Sequence, residues 1–396
     1  MTNTNTTEIK WLEKSPMYQM SLGSRELFHS NFLAWLFEAY SDSIEILGIE
    51  PSKFKGVLRE KKNVDLVILG ENDEILAILE NKIKDIPRQG QLERYAKFFA
   101  NTKKGILLTL VPESFDLSQT KGGSDWGWTR LSYRELARNI EAWRIRAKLE
   151  HRDSMFVDEY CMMVNKICDI AEKHLNPDII EKRYWFPISD RESLAAIRFD
   201  DTVKKHEAQL MASELEKRIQ NELGKRLFEE GEETENGRIT AFVGGALYNK
   251  TPCVTAGIVR DGSSKVCLMT QIQGHQYRRM ISSSNFNFAK KSGSGDRYSS
   301  LQKCIDESDE FTWLFASEQS PDGFRVQQWE NPGPFKSSMR NKLNGYAPDA
   351  VYQYIDISKG PVSQGELSYN MVLKNVVSDM KYAIETLKRS DYVSTS

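Results

Sequence analysis

The sequence predicts an α/β core followed by a second half of α+β type. Three observations carry this. Short, wholly apolar runs bounded by turn residues lie in the first 150 or so positions. Helical periodicity flanks them. After residue 238 the pattern changes to strand-style alternation. The 396 residues suffice for roughly two domains, and 40% hydrophobic with 28% charged residues is the composition of a chain that fills packed cores.

The elements follow in order. Residues 1–15 are polar and expected to fray. From Ser24 to Tyr40, Leu27, Phe28, Phe32, Leu33, Trp35 and Leu36 recur at three- and four-residue spacing, a helix with Ser24 as N-cap. Phe54–Glu60 is a short strand. Val64–Leu69 (VDLVIL) and Ile75–Leu79 (ILAIL) flank the turn residues 70–73 and read as a hairpin of buried strands. Pro87 blocks a helix before it, and Arg88–Ala100 is amphipathic helix. Gly105–Val111 is another buried strand, 112–127 a polar loop, and Trp128–Tyr133 a short strand. Helices follow over 133–149 and 153–174.

The result is a helix, three strands, a helix and a strand, an α-β-β-β-α-β core within residues 1–175. Residues 176–200, with Pro177, Pro187 and the aromatics Tyr184, Trp185 and Phe186, read as a linker or docking element. Residues 201–396 form the second domain: a charged helix over 201–230, strands over 238–283, a basic loop at 290–299 and a helix over 364–389.

Composition excludes several classes. No run approaches the ~20 apolar residues of a membrane span, and the N-terminus has no secretory pattern, so the expected location is cytoplasmic. Five scattered cysteines without a CxxC pair do not suit a zinc ribbon or a disulfide scaffold. No HExxH pair is present. A formal net charge of −2 argues against a histone-like polycation but leaves room for a local basic cleft.

The chemistry concentrates at the hairpin. Asp65 lies in one buried strand and Glu80 ends the next, and buried carboxylates are costly unless paired or bound to a metal. Paired positions in an antiparallel hairpin have a constant sum. A turn centred between Asn72 and Asp73 therefore places Asp65 opposite Glu80, within ~5 Å at Cβ. Strand alternation puts Lys82 on the same face as Glu80. Two facing carboxylates and an amine suit hydrolysis of phosphodiesters with Mg²⁺, or Mn²⁺ in its place: the acids hold the ion, the ion lowers the pKa of a water, and the lysine orients that water or offsets charge.

Asp65 followed by Glu80-Asn81-Lys82 resembles the PD-(D/E)XK nuclease signature. The stretches SRELFHSNFLAWLF (24–37), VDLVIL, ILAILENKI and QGQLERY (89–95) are similar to PD-(D/E)XK families of uncharacterised, mostly prokaryotic proteins. Gln91 and Tyr95 resemble the Gln-x-x-x-Tyr element of the RecB-like branch, in which a glutamate on the first helix joins the metal site; Glu26 has that place here. Val64 stands where the signature has proline. The resemblance covers about residues 20–140. It implies a restriction-endonuclease-like core and a nuclease in which Asp65, Glu80, the Asn81 carbonyl and Glu26 hold the metal, Lys82 assists the water and Gln91 positions the site. The triplet Glu60-Lys61-Lys62 is a decoy, without a partnered acid on a preceding strand.

Lys84, Arg88 and Tyr95 are the expected nucleic-acid contacts, with further bases at Arg59, Lys61, Lys62, Arg94 and Lys97. The expected partner is nucleic acid, DNA before RNA, in phage defence or DNA processing. His29, three residues after Glu26, reads as a structural histidine, and Trp126 and Trp128 as packing residues before base-stacking ones. In the second half His275, Tyr277, Arg278 and Arg279, with Lys290, Lys291 and Arg297, are either an exposed strand and loop or a nucleic-acid contact. That half would recognise substrate, form a homo-oligomer or bind a partner protein. The alternatives to a nuclease are a non-cleaving nucleic-acid-binding module and a protein-interaction component of a defence complex.

Overall fold

The computed structural model describes residues 4–21, 26–84, 89–110, 127–175, 191–262, 265–274, 276–284, 312–315, 344–347, 350–356 and 369–389. Ser24, Arg88, Trp126, His275, Lys290, Lys291, Arg297 and the aromatics 184–186 lie outside these residues. The chain divides into two compact units, Met1–Ile179 with Ile188–Glu207, and Ile180–Pro187 with Ala208–Ser396.

The first unit opens with α1 (Thr4–Lys14), α2 (Pro16–Ser21) and α3 (Glu26–Ala39). Where the sequence suggests fraying, Ile9 and Leu12 are buried, and the Ser15 hydroxyl donates to Glu159 at 2.7 Å. Two apolar residues three apart are enough for a helix once a distant surface covers them.

Strands β1 (Gly56–Arg59), β2 (Leu66–Leu69), β3 (Ile75–Lys82), β4 (Gly105–Thr109) and β5 (Trp128–Ser132) form a five-stranded mixed sheet in sequential order. β1, β2 and β3 are antiparallel neighbours; β3, β4 and β5 are parallel. The parallel crossover needs a connecting helix, and α4 (Gln89–Phe98) lies between β3 and β4. α5 (Tyr133–Arg146) starts from a capping box in which Ser132 and Glu135 bond reciprocally, and α6 (His151–Leu175) follows.

Leu66 pairs with Leu79, Val67 with Ile78 and Ile68 with Ala77, the register that the turn residues imply. A bulge shifts the next pair to Leu69–Ile75. Asn72 and Asp73 take φ of 53° and 60° in the turn, a conformation Asn and Asp tolerate best among non-glycine residues. α4 covers one sheet face through Leu92, Tyr95 and Ala96, with Phe99 just after it, packed on Val67, Ile78, Leu107 and Trp128. Trp128 is core, not a base-stacking residue.

The second unit's sheet comprises β6 (Glu232–Thr234), β7 (Gly237–Tyr248), β8 (Thr251–Asp261), β9 (Lys265–Gln273), β10 (Gln276–Ser283), β11 (Asn344–Ala347) and β12 (Ala350–Asp356), in the order β11-β12-β10-β9-β8-β7-β6. The paired strands in it are antiparallel. Asn249 and Lys250, both left-handed, close the β7–β8 hairpin. The expected helix over 201–230 is two: Asp200–Leu223, then Arg226–Glu229, broken at Gly224, where φ is +88°. A left-handed glycine terminates a helix at no steric cost.

The helix Tyr369–Arg389 packs on β8 and β9. It is tied there by a fully buried ion pair: Asp379 accepts from Arg279 Nη2 at 2.6 Å, Tyr277 Oη at 2.7 Å and Thr270 Oγ1 at 3.1 Å. Tyr277 and Arg279 are therefore core residues and not nucleic-acid contacts. Among the described residues no helix is long and apolar enough to cross a membrane.

Candidate active site

Alternation along β3 sorts the site. Glu80 and Lys82 face α4, while the Asn81 side chain faces α3 and α5. Glu80 is 2% exposed, and its Oε1 accepts from Lys82 Nζ at 2.8 Å and from Gln91 Nε2 at 2.7 Å. Lys82 Nζ also lies 3.6 Å from Glu26 Oε2. Gln91 Nε2 donates to Tyr95 Oη at 2.9 Å, and that hydroxyl donates to the Asn63 carbonyl at 2.7 Å. One turn of α4 thus links Glu80 to the loop that leads into β2.

That loop is strained. Glu60, Lys62 and Asn63 have φ of 55°, 53° and 65°, which costs free energy unless the surroundings fix it. The Glu60 N–H donates to the Asp65 carbonyl at 3.0 Å, and Tyr95 holds Asn63. These contacts set Asp65 one residue before β2 begins. There its Oδ2 accepts the backbone N–H of Asn81 at 2.7 Å. Ile78 N bonds to Lys104 O and Leu110 N to Lys82 O, so the even residues of β3 turn their backbone groups to β4. The N–H and C=O of Asn81 face the β2 side, where Asp65 lies.

The Asn81 side chain docks α3. Its Nδ2 donates to the Glu26 carbonyl at 2.7 Å and to Ser30 Oγ at 3.3 Å, and its Oδ1 accepts from the buried Tyr133 hydroxyl. Glu26 is the first residue of α3, so this contact places its carboxylate at Lys82. His29 is fully buried against Phe28, Tyr133 and Tyr160, with Nδ1 3.1 Å from Tyr160 Oη. Burial pulls it down to about 3, so it is neutral and structural.

The electrostatics are those of crowded, desolvated acids. Burial pushes the Asp65 carboxyl up to about 6, against the pull of the Asn81 N–H and the Lys82 ammonium. Burial and the Asp65 charge push Glu80 up to about 7. For Lys82, burial favours the neutral amine, but Glu80, Glu26 and Asp65 outweigh it and hold the ammonium charged.

Among the described residues no three His, Cys, Asp or Glu side chains come together as a metal-holding group. The centre offers a pair of acids and a carbonyl instead, with Glu26 beside the lysine. These donors fit a divalent cation: all are hard oxygens. Glu80 Oε2, fully buried, has no hydrogen-bond partner among the described residues, and a buried carboxylate oxygen without a partner is costly.

Several expected residues differ in placement. Tyr95 is 2% exposed and supports Gln91 and Asn63 where a direct nucleic-acid contact was expected. Lys84 is exposed just past β3, and Arg59 donates to Asn31 at 3.2 Å. The decoy Glu60 is exposed. Tyr133, Ser30 and the Asn63 carbonyl escaped sequence reasoning. Nothing local marks Tyr133, whose partner lies 52 residues away.

Residues 44–162 match the family model of the PD-(D/E)XK nuclease superfamily. No curated protein and no solved structure matches the chain.

Proposed function

From a segment, residues 44–162, that belongs to the PD-(D/E)XK nuclease superfamily, we propose that the chain is a divalent-metal-dependent nuclease cleaving phosphodiester bonds in DNA. We place it in phage defence or DNA processing. The observation that carries the reading is the convergence of Glu80, Lys82 and Gln91 within 2.8 Å contacts, with Asp65 joined to the same strand through Asn81 N–H. The helix–three-strand–helix–strand order around it supports a restriction-endonuclease-like core.

In this reading Asp65, Glu80 and the Asn81 carbonyl hold Mg²⁺ or Mn²⁺. When bound, the ion stabilises charge at the scissile phosphate and acidifies the attacking water. The remaining work belongs to the chain. Lys82, an ammonium ringed by carboxylates, offsets negative charge as the phosphorus becomes five-coordinate. Glu26 fixes Lys82 from the far side. Gln91 fills one lone pair of Glu80 Oε1 and leaves Oε2 for the ion. Tyr95 holds Gln91 and the strained loop in place. Lys84 and Arg88 contact phosphates flanking the cut.

The test is cleavage with Mg²⁺ or Mn²⁺ of linear, circular and single-stranded DNA, and of RNA, beside Asp65→Ala and Lys82→Ala. Cutting by the wild type that both variants lose supports the proposal. Equal inertness of all three proteins on every substrate would sink it.

A further inference from the structure

The two faces of the second unit's sheet are unlike. The helical residues Ala208 and Gln209 of the same unit lie against one: a Cβ at Gly245 would lie 2.2 Å from the Ala208 carbonyl. At the adjacent Gly244, whose Cβ would point the opposite way, nothing lies within 4 Å. Ala246 and Tyr248, on the Gly244 face, are exposed.

The pairing register continues the Gly244 position through Thr255, Gln271, Arg278 and Tyr354 in one row across this face. Arg278 is 9% exposed. It donates from Nε to Gln276 Oε1 at 2.8 Å, from Nη2 to the same oxygen at 2.5 Å, from Nη1 to Gln271 Oε1 at 2.8 Å, and to Gln273 Oε1. Its guanidinium lies 4.7 Å from the Tyr352 ring centroid. All these partners are neutral. Its neighbour Arg279, on the covered face, has the Asp379 carboxylate.

Three amide oxygens orient a guanidinium but do not cancel its charge, and a cation withdrawn from water without an anion is disfavoured. One Nη2 proton remains for a further acceptor. Tyr352 and Tyr354 flank it, half-buried, with ring centroids 6.2 Å apart. A fixed cation beside half-buried aromatic rings suits a strand whose phosphate takes the charge and whose unpaired bases stack. A duplex offers no such base faces.

We propose that this face of the second unit binds single-stranded nucleic acid, with a backbone phosphate at Arg278, held by Gln271, Gln273 and Gln276, and bases on Tyr352 and Tyr354. The site goes beyond the proposed cleavage and does not depend on it.

The experiment is fluorescence anisotropy of the full chain in EDTA, which prevents metal-dependent cleavage, with a labelled 20-nucleotide oligothymidine and a 20-base-pair duplex. Wild type should prefer the single strand. Tyr352→Ala and Tyr354→Ala should each weaken it roughly tenfold. Arg278→Gln should flatten the salt dependence by about one counter-ion. Asp65→Ala should bind as wild type does, so a failed nuclease reading leaves this result intact. Thermal melts check folding; if Arg278→Gln melts early, the tyrosine variants decide. Unchanged affinity in both tyrosine variants, a preference for duplex, or no binding would overturn the proposal.

Discussion

Replacing Asp65 by asparagine should stabilise the metal-free protein at alkaline pH while abolishing cleavage. Burial holds the Asp65 carboxyl at about 6, against its ordinary 3.8. A carboxyl raised in the folded state favours protonation there, so ionising it weakens the fold. The weakening begins as pH rises through the unfolded value near 3.8 and is complete above about 6. A rise of about two pH units corresponds to about 3 kcal/mol. Asparagine keeps an oxygen for the Asn81 N–H and carries no charge, which also relieves Glu80. Lys82 loses one of three carboxylate neighbours, which offsets part of the gain. The net expectation is about 2 kcal/mol at pH 8 and none at pH 3, a melting shift of roughly 4–8 °C for a unit of this size. The assay is thermal denaturation in EDTA at both pH values. A variant that melts at or below wild type at pH 8 would refute the reasoning. Added Mn²⁺ should raise the wild-type midpoint and leave the variant unmoved, because an ion that binds the folded centre stabilises it.

Three further outcomes are expected. Gln91→Ala leaves Glu80 Oε1 with Lys82 alone, and should lower metal affinity or cleavage about 10- to 100-fold, read by Mn²⁺ titration. Tyr133→Phe orphans Asn81 Oδ1 inside the core and should cost about 1–3 kcal/mol in chemical denaturation; an unchanged midpoint would discount the bond. Gly245→Ala should unfold the second unit or shift it severely, whereas Gly244→Ala should be neutral or stabilise by about 0.5–1 kcal/mol, since a strand glycine with open space above it has only entropy to lose. Equal effects at the two positions would mean that the faces are not as different as described.

The hairpin was legible because both of its determinants are local. The Glu71–Asp73 turn residues and the apolar runs around them fix the register, and the register brings Asp65 to Glu80 on paper. The long-range parts were not. Ile9 and Leu12 form a helix because a surface about 150 residues away covers them, as the Ser15–Glu159 bond records. The QYRR stretch shows the same limit. Alternation does separate Tyr277 and Arg279 from Arg278, but which face is covered depends on Asp379, 100 residues on. At Asn81 the sequence points to the main-chain carbonyl alone; the docking role of the side chain is not legible, because neither Glu26 nor Tyr133 is its sequence neighbour.

Position 81 has a consequence for mutational scanning. Its side chain docks a helix, and its main chain offers the proposed centre a carbonyl that every amino acid carries. Alanine at 81 would therefore report the loss of docking and nothing about the carbonyl. A scan would grade the residue as structural. Separating the two roles requires an edit to the backbone itself, such as an ester in place of the peptide bond that follows Asn81, which weakens the carbonyl as a donor and leaves the side chain in place.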